Sequence, residues 1–155
     1  MDTQITYNNT DTQETLYEVD FYQWALYNAN LLKQGRFTEV DIENVVEELE
    51  SMGRGEKKEL RNRLAILIMH LLKWQYQPQR RSESWKITIN TQRVDIEFIL
   101  KDSPSLKHVV EIVIDEAYKK SGLMFQKETG INKKHLPNIC PYNFEQLIDY
   151  DFLPE

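Results

Sequence analysis

From Leu16 onward, apolar side chains return every three or four residues in long runs, the spacing that lines one face of an α-helix. Tyr17, Phe21, Trp24, Ala25, Leu31 and Leu32 form a first stripe, interrupted by Asn28, and Gly35 offers a left-handed stop. Thr38-Glu-Val-Asp41 predicts an N-cap with a carboxylate three residues on, opening a second helix with Ile42, Val45, Val46, Leu49 and Met52 on one face. Gly53 and Gly55 predict its end or a bend. Arg54 to Gln77 then reads as a separate third helix, stopped by Pro78. Leu60, Leu64, Leu67, Ile68, Leu71 and Trp74 mark the main face of that helix. Ile66, Met69 and Leu72 make its second half apolar nearly all round, the pattern of a helix buried on several sides.

Ser82 or Ser84 predicts the cap of a fourth helix with Trp85, Ile89, Ile96, Ile99 and Leu100 inside, ending near Asp102. Ser103-Pro104 predicts the start of a fifth helix running to about Thr129, with Leu106, Val109, Val110, Val113, Ala117 and Met124 inside and Gly130 as its stop. A short helix over 144–149 follows, and Phe144, Leu147, Ile148, Phe152 and Leu153 predict that this end of the chain docks on the rest. The expected fold is all-α, a four-helix-bundle-like single domain over residues 14–155. It carries one additional helix and a short C-terminal helix docked on it. Residues 1–13 are polar and aperiodic and read as a flexible tail.

Composition narrows the function classes. The chain has 155 residues, of which 41% are hydrophobic and 28% charged, enough apolar content for a folded core and far too much for a disordered chain. Cys140 stands alone, which excludes an intramolecular disulfide. The start of the chain lacks the basic and apolar regions of a signal peptide, and no run approaches the ~18 apolar residues of a membrane span. A cytoplasmic setting without a membrane partner is the expectation. The net charge of −6 argues against a dedicated DNA-binding protein, although the distribution of charge matters more than its total.

Several segments together carry a resemblance: Tyr17-Glu-Val-Asp-Phe-Tyr-Gln-Trp-Ala25, Glu47-Glu-Leu-Glu-Ser-Met-Gly53, His70-Leu-Leu-Lys-Trp-Gln-Tyr-Gln-Pro78, Asp102-Ser-Pro-Ser-Leu106, and Cys140-Pro-Tyr142 with the Asp-Phe-Leu-Pro ending. Over about residues 17–155 the chain resembles the bacterial family known as domain of unknown function twenty-nine. The resemblance implies an α-helical bundle and brings no established activity, cofactor or catalytic residue. Ile87, Val94 and Phe98 depart from the polar or small residues it implies in the fourth helix.

Three constellations carry candidate chemistry. The junction of Lys73, Trp74, Tyr76, Arg80, Arg81, Trp85 and Lys86 combines cations with rings that could bind phosphate and stack on bases, an alternative reading as a nucleic-acid or anionic-ligand surface. Residues 54–86 hold nine Lys/Arg against three Glu, a balance of +6, whereas residues 39–50 hold six acids and no base. Helix two facing helix three would neutralise part of this charge, with Trp74 and Trp85 as core residues. His70 with Glu43 and Glu50 is a second alternative, a metal site of a metal-dependent enzyme. However, no His has the Glu three residues before it that di-iron bundles use. Ile87, Val94 and Phe98 form a second apolar stripe on helix four, to be covered by the C-terminal segment or offered to another protein or another copy. Cys140 lies in a tail linker, and neither a Gly-x-Ser-x-Gly elbow nor a phosphate-binding loop occurs. The leading expectation is a helical binding or protein-interaction module, possible as a homodimer, with no catalytic motif, no cofactor and no metal.

Overall fold

The apolar stripes fold as helices throughout the computed structural model, which describes residues 16–155. No strand occurs among the described residues, so the chain is all-α as its periodicity predicts. The expected tail at 1–13 lies outside the described residues. The helices are α1 (Phe21–Lys33), α2 (Ile42–Tyr76), α3 (Glu83–Asp102), α4 (Val110–Thr129) and the short α5 (Phe144–Ile148). They belong to two compact units, one ending at Gly53 and the other running from Arg54 to Glu155.

The main departure from expectation is α2, a single helix of 35 residues where two helices were predicted. Gly inside a helix costs only about 1 kcal/mol relative to Ala, too little to break it unaided. A stop also needs a left-handed residue and a new cap. Positive φ occurs at Gly35 and Gly130 and not at Gly53 or Gly55, and Arg54-Gly-Glu-Lys57 contains no Ser, Thr, Asp or Asn to cap a fresh start. The expected break into a separate acidic helix two and basic helix three is therefore absent.

In the first unit, Asp20 caps α1 by accepting from Gln23 N at 3.0 Å. The helix closes in a Schellman arrangement, with Gly35 at φ 70° and bonds from Gly35 N to Leu32 O (3.1 Å) and from Arg36 N to Leu31 O (2.9 Å). The expected Thr38 cap is displaced: Phe37–Glu39 forms a 3₁₀ turn, and Asp41, immediately before α2, takes the capping place. Its carboxylate accepts from Trp24 Nε1 at 2.9 Å and Asn44 Nδ2 at 2.8 Å, while its N–H donates to Asn28 Oδ1 at 2.9 Å. Asn28 therefore interrupts the apolar stripe because it ties α1 to the start of α2. Trp24, Asn28 and Leu31 are the buried residues of α1, and Tyr17 and Phe21 pack their rings on Trp24.

In the second unit the expected central role goes to the second half of α2. Leu60, Leu64, Leu67, Ile68, Met69, Leu71 and Leu72 are buried on several sides, packed with Ile89 and Ile96 of α3 and Val113, Ala117 and Phe125 of α4. Ser82, not Ser84, caps α3 by accepting from Trp85 N at 3.3 Å. The expected fifth helix opens differently. Pro104–Val109 is a 3₁₀ segment and α4 starts only at Val110. Ser103 gives no side-chain cap, and its N–H instead closes α3 on Ile99 O at 2.9 Å. The basic excess of residues 54–86 is met from α3 and α4: Arg61 pairs with Glu116 at 2.8 Å, Arg63 with Asp95 at 3.4 Å and Lys73 with Glu128 at 2.8 Å.

Candidate interaction surfaces

The elbow between α2 and α3 brings the junction residues together as an interlocked stack. Pro78–Arg80 forms a 3₁₀ turn that reverses the chain. Arg81 then donates from Nε to Trp74 O at 2.9 Å and lies 5.0 Å from the centre of the Trp74 ring. Lys86 Nζ lies 5.7 Å from the same ring, and Lys73 Nζ is 4.6 Å from the Trp85 ring while bonded to Glu128. Trp74 is buried, and Tyr76 meets Phe125 edge-on at 5.9 Å. Cation–ring contacts of this kind contribute about 0.5–1 kcal/mol each where exposed. Lys73, Arg81 and Lys86 thus lie against the Trp74 and Trp85 rings, while Arg80 and Arg81 are both exposed at the turn.

The metal alternative draws His70 from the second unit and Glu43 and Glu50 from the first. His70 Nδ1 is 2.9 Å from Ile66 O, one turn back in its own helix, which places the proton on Nδ1 in the neutral ring. Burial pulls the His70 pKa below its ordinary value, with Lys73 adding to the effect, against opposing contributions from the Ile66 carbonyl and Glu128. Glu43 and Glu50 belong to the first unit, and among the described residues no group of three or more His, Cys, Asp or Glu is placed to hold a metal ion. Burial also pushes the Cys140 thiol up to about 11, away from nucleophilic use.

On α3, the expected cover of Ile87, Val94 and Phe98 by the C-terminal segment does not occur. Ile87 is 65%, Val94 39% and Phe98 58% exposed. The segment is drawn elsewhere by Arg93, a charged residue outside the predicted apolar stripes. Arg93 is 1% exposed. It donates from Nε to Leu147 O at 2.8 Å, from Nη2 to Phe152 O at 2.8 Å and Gln146 O at 3.3 Å, and from Nη1 to Tyr150 O at 3.5 Å and Asn90 Oδ1 at 3.3 Å. Two of these carbonyls end α5, where the helix dipole favours a cation. Burial lowers the Arg93 pKa, and Asp149, Tyr150 and Asp151 oppose that shift. Leu147 and Tyr142 of the same segment are buried, with Tyr142 OH donating to Gln75 Oε1 at 2.7 Å. The signal was available in the sequence, since Ile89, Arg93, Ile96 and Leu100 fall at spacings of four, three and four on the inner face.

The first unit holds the other open surface. Ile42 is 60%, Val46 45% and Leu49 62% exposed, and they lie at i, i+4 and i+7 along one line of α2. Each is followed directly by a carboxylate, Glu43, Glu47 and Glu50, which places an acidic border along one side of the apolar line.

A family model described as a domain of unknown function, DUF29, matches residues 16–153. No curated protein and no solved structure matches the chain.

Proposed function

We propose that this chain, which belongs to the DUF29 family, is a protein-interaction module whose first unit docks a cationic amphipathic helix of a partner protein. The observation that carries the reading is the exposed line of Ile42, Val46 and Leu49 bordered by Glu43, Glu47 and Glu50. Helix-in-groove recognition uses apolar anchors at this spacing, and border charge sets which partners fit. Residues 16–53 contain eight acids (Glu18, Asp20, Glu39, Asp41, Glu43, Glu47, Glu48, Glu50) against Lys33 and Arg36, a balance of −6. A second copy of the same face would set like charges opposite one another, whereas a helix edged with Lys or Arg would complement them. Among the described residues of this unit the buried apolar side chains are Trp24 and Leu31, and a docked helix would add to that core. No helix among the described residues is long and apolar enough to cross a membrane. A cytoplasmic setting belongs to the proposal.

A photo-crosslinking residue at Leu49, used in cells that make the protein, tests this. The expected crosslink maps to a partner segment with an apolar helical stripe edged by Lys or Arg, and Val46→Glu abolishes it. Crosslinks to acidic segments, to the same face of another copy, or unchanged by Val46→Glu would refute the reading.

A further inference from the structure

The exposed row on α3 is self-complementary in one orientation only, and we infer that it pairs antiparallel with α3 of a second copy of this chain. Ile87, Thr91, Val94 and Phe98 are all exposed and lie at spacings of four, three and four, a single strip about 16 Å long at 1.5 Å per residue. A two-fold axis between residues 92 and 93 sets Ile87 against Phe98 of the second copy and Thr91 against its Val94. Both pairs are centred on the same point. The strip also contains the receptacle such a contact needs. A surface groove of about 380 Å³ is lined by Glu83, Lys86, Ile87, Asn90, Thr91 and Val94, and the Phe98 ring of the second copy is carried to that groove.

The border charges choose the direction. Glu83, Lys86, Glu97 and Lys101 lie along one side of the row on a helical wheel. In the antiparallel arrangement Glu83 stands level with Lys101 of the second copy, a contact between opposite charges that the axis repeats, while Lys86 falls between its Glu97 and Lys101. A parallel arrangement would set this side against the opposite side of the second copy's row, where Ser84, Thr88, Asp95 and Asp102 lie and no Lys or Arg meets Glu83 and Glu97. The contact is isologous and closes at two copies, because the same patch serves both. It uses residues of the second unit alone and stands apart from the docking of a partner on the first unit. A monomeric wild type would therefore leave the proposed function intact while ending this inference.

Sedimentation of the full chain across about 1–200 μM tests it. Wild type is expected to move from one toward two multiples of 18.5 kDa. Phe98→Asp, at an exposed position, should remain monomeric with an unchanged circular dichroism melt. Glu83→Lys and Lys101→Glu, each alone, should raise the dimer dissociation constant about tenfold, the effect of two symmetry-related border pairs turned repulsive. Combined in one chain, they should restore it. A wild type that stays monomeric over this range, a dimer indifferent to Phe98→Asp, or a double variant no tighter than the single ones would overturn the antiparallel pairing.

Discussion

Replacing Arg93 with Met keeps the length and apolar stem of the side chain and removes every donor from a buried cluster of carbonyls. In the wild type its guanidinium holds Leu147 O and Phe152 O at 2.8 Å, with weaker bonds to Gln146 O and Tyr150 O at 3.3 and 3.5 Å. A hydrogen bond from a charged donor contributes about 1.5–3 kcal/mol net, so the two short bonds set a gross loss of roughly 3–6 kcal/mol. Relief from desolvating the cation returns part of this. The expected net destabilisation is about 3 kcal/mol, concentrated in the C-terminal segment, where Leu147 then loses its hold. Urea unfolding followed by circular dichroism measures the first quantity. Hydrogen exchange over residues 142–153 measures the second, and it should accelerate more than exchange in the α2 core. A change below about 1 kcal/mol with protection of 142–153 intact would show that apolar docking alone retains the segment and would refute the role given to Arg93.

Three further outcomes follow from local geometry. His70 is held neutral by burial, so its folded pKa lies below the unfolded value of about 6.5. Its contribution to stability is present above that value and is lost as pH falls through the folded pKa; an NMR titration giving a midpoint at or above 6.5 would contradict this. With the Cys140 thiol pushed from 9.0 to about 11, its thiolate fraction at pH 7 drops about a hundredfold, and alkylation in the native protein should slow by that order relative to the unfolded chain; equal rates would remove the argument. Gly53→Ala and Gly55→Ala, in helix with open space around the added Cβ, should each stabilise by about 0.5–1 kcal/mol. Gly130→Ala, at φ 73°, should destabilise by about 1 kcal/mol. Thermal melts showing the same sign for all three would disprove the distinction.

Much of the helical framework was legible in the sequence, because a 3.6-residue period and a cap such as Ser82 act over a few residues and need no distant partner. The C-terminal docking residues were likewise legible as apolar positions. Where local signals misled, a nearby competitor decided. Asp41 outcompeted Thr38 because it also receives the Trp24 indole. Gly53 and Gly55 stayed helical because neither takes a left-handed conformation and nothing nearby caps a new start.

The amino-acid sequence by itself determined the class of fold, the buried second half of α2 and the acidic bias of residues 39–50. Only the tertiary structure decided which apolar stripes are covered. A helical wheel shows that α3 has two apolar sides but cannot say which one the end of the chain will occupy. That choice rests on the carbonyls of residues 146–152 meeting the Arg93 guanidinium across more than 50 residues of sequence. With the segment held there, Ile87, Val94 and Phe98 are left facing outward, since one short stretch of chain cannot cover both sides of a helix.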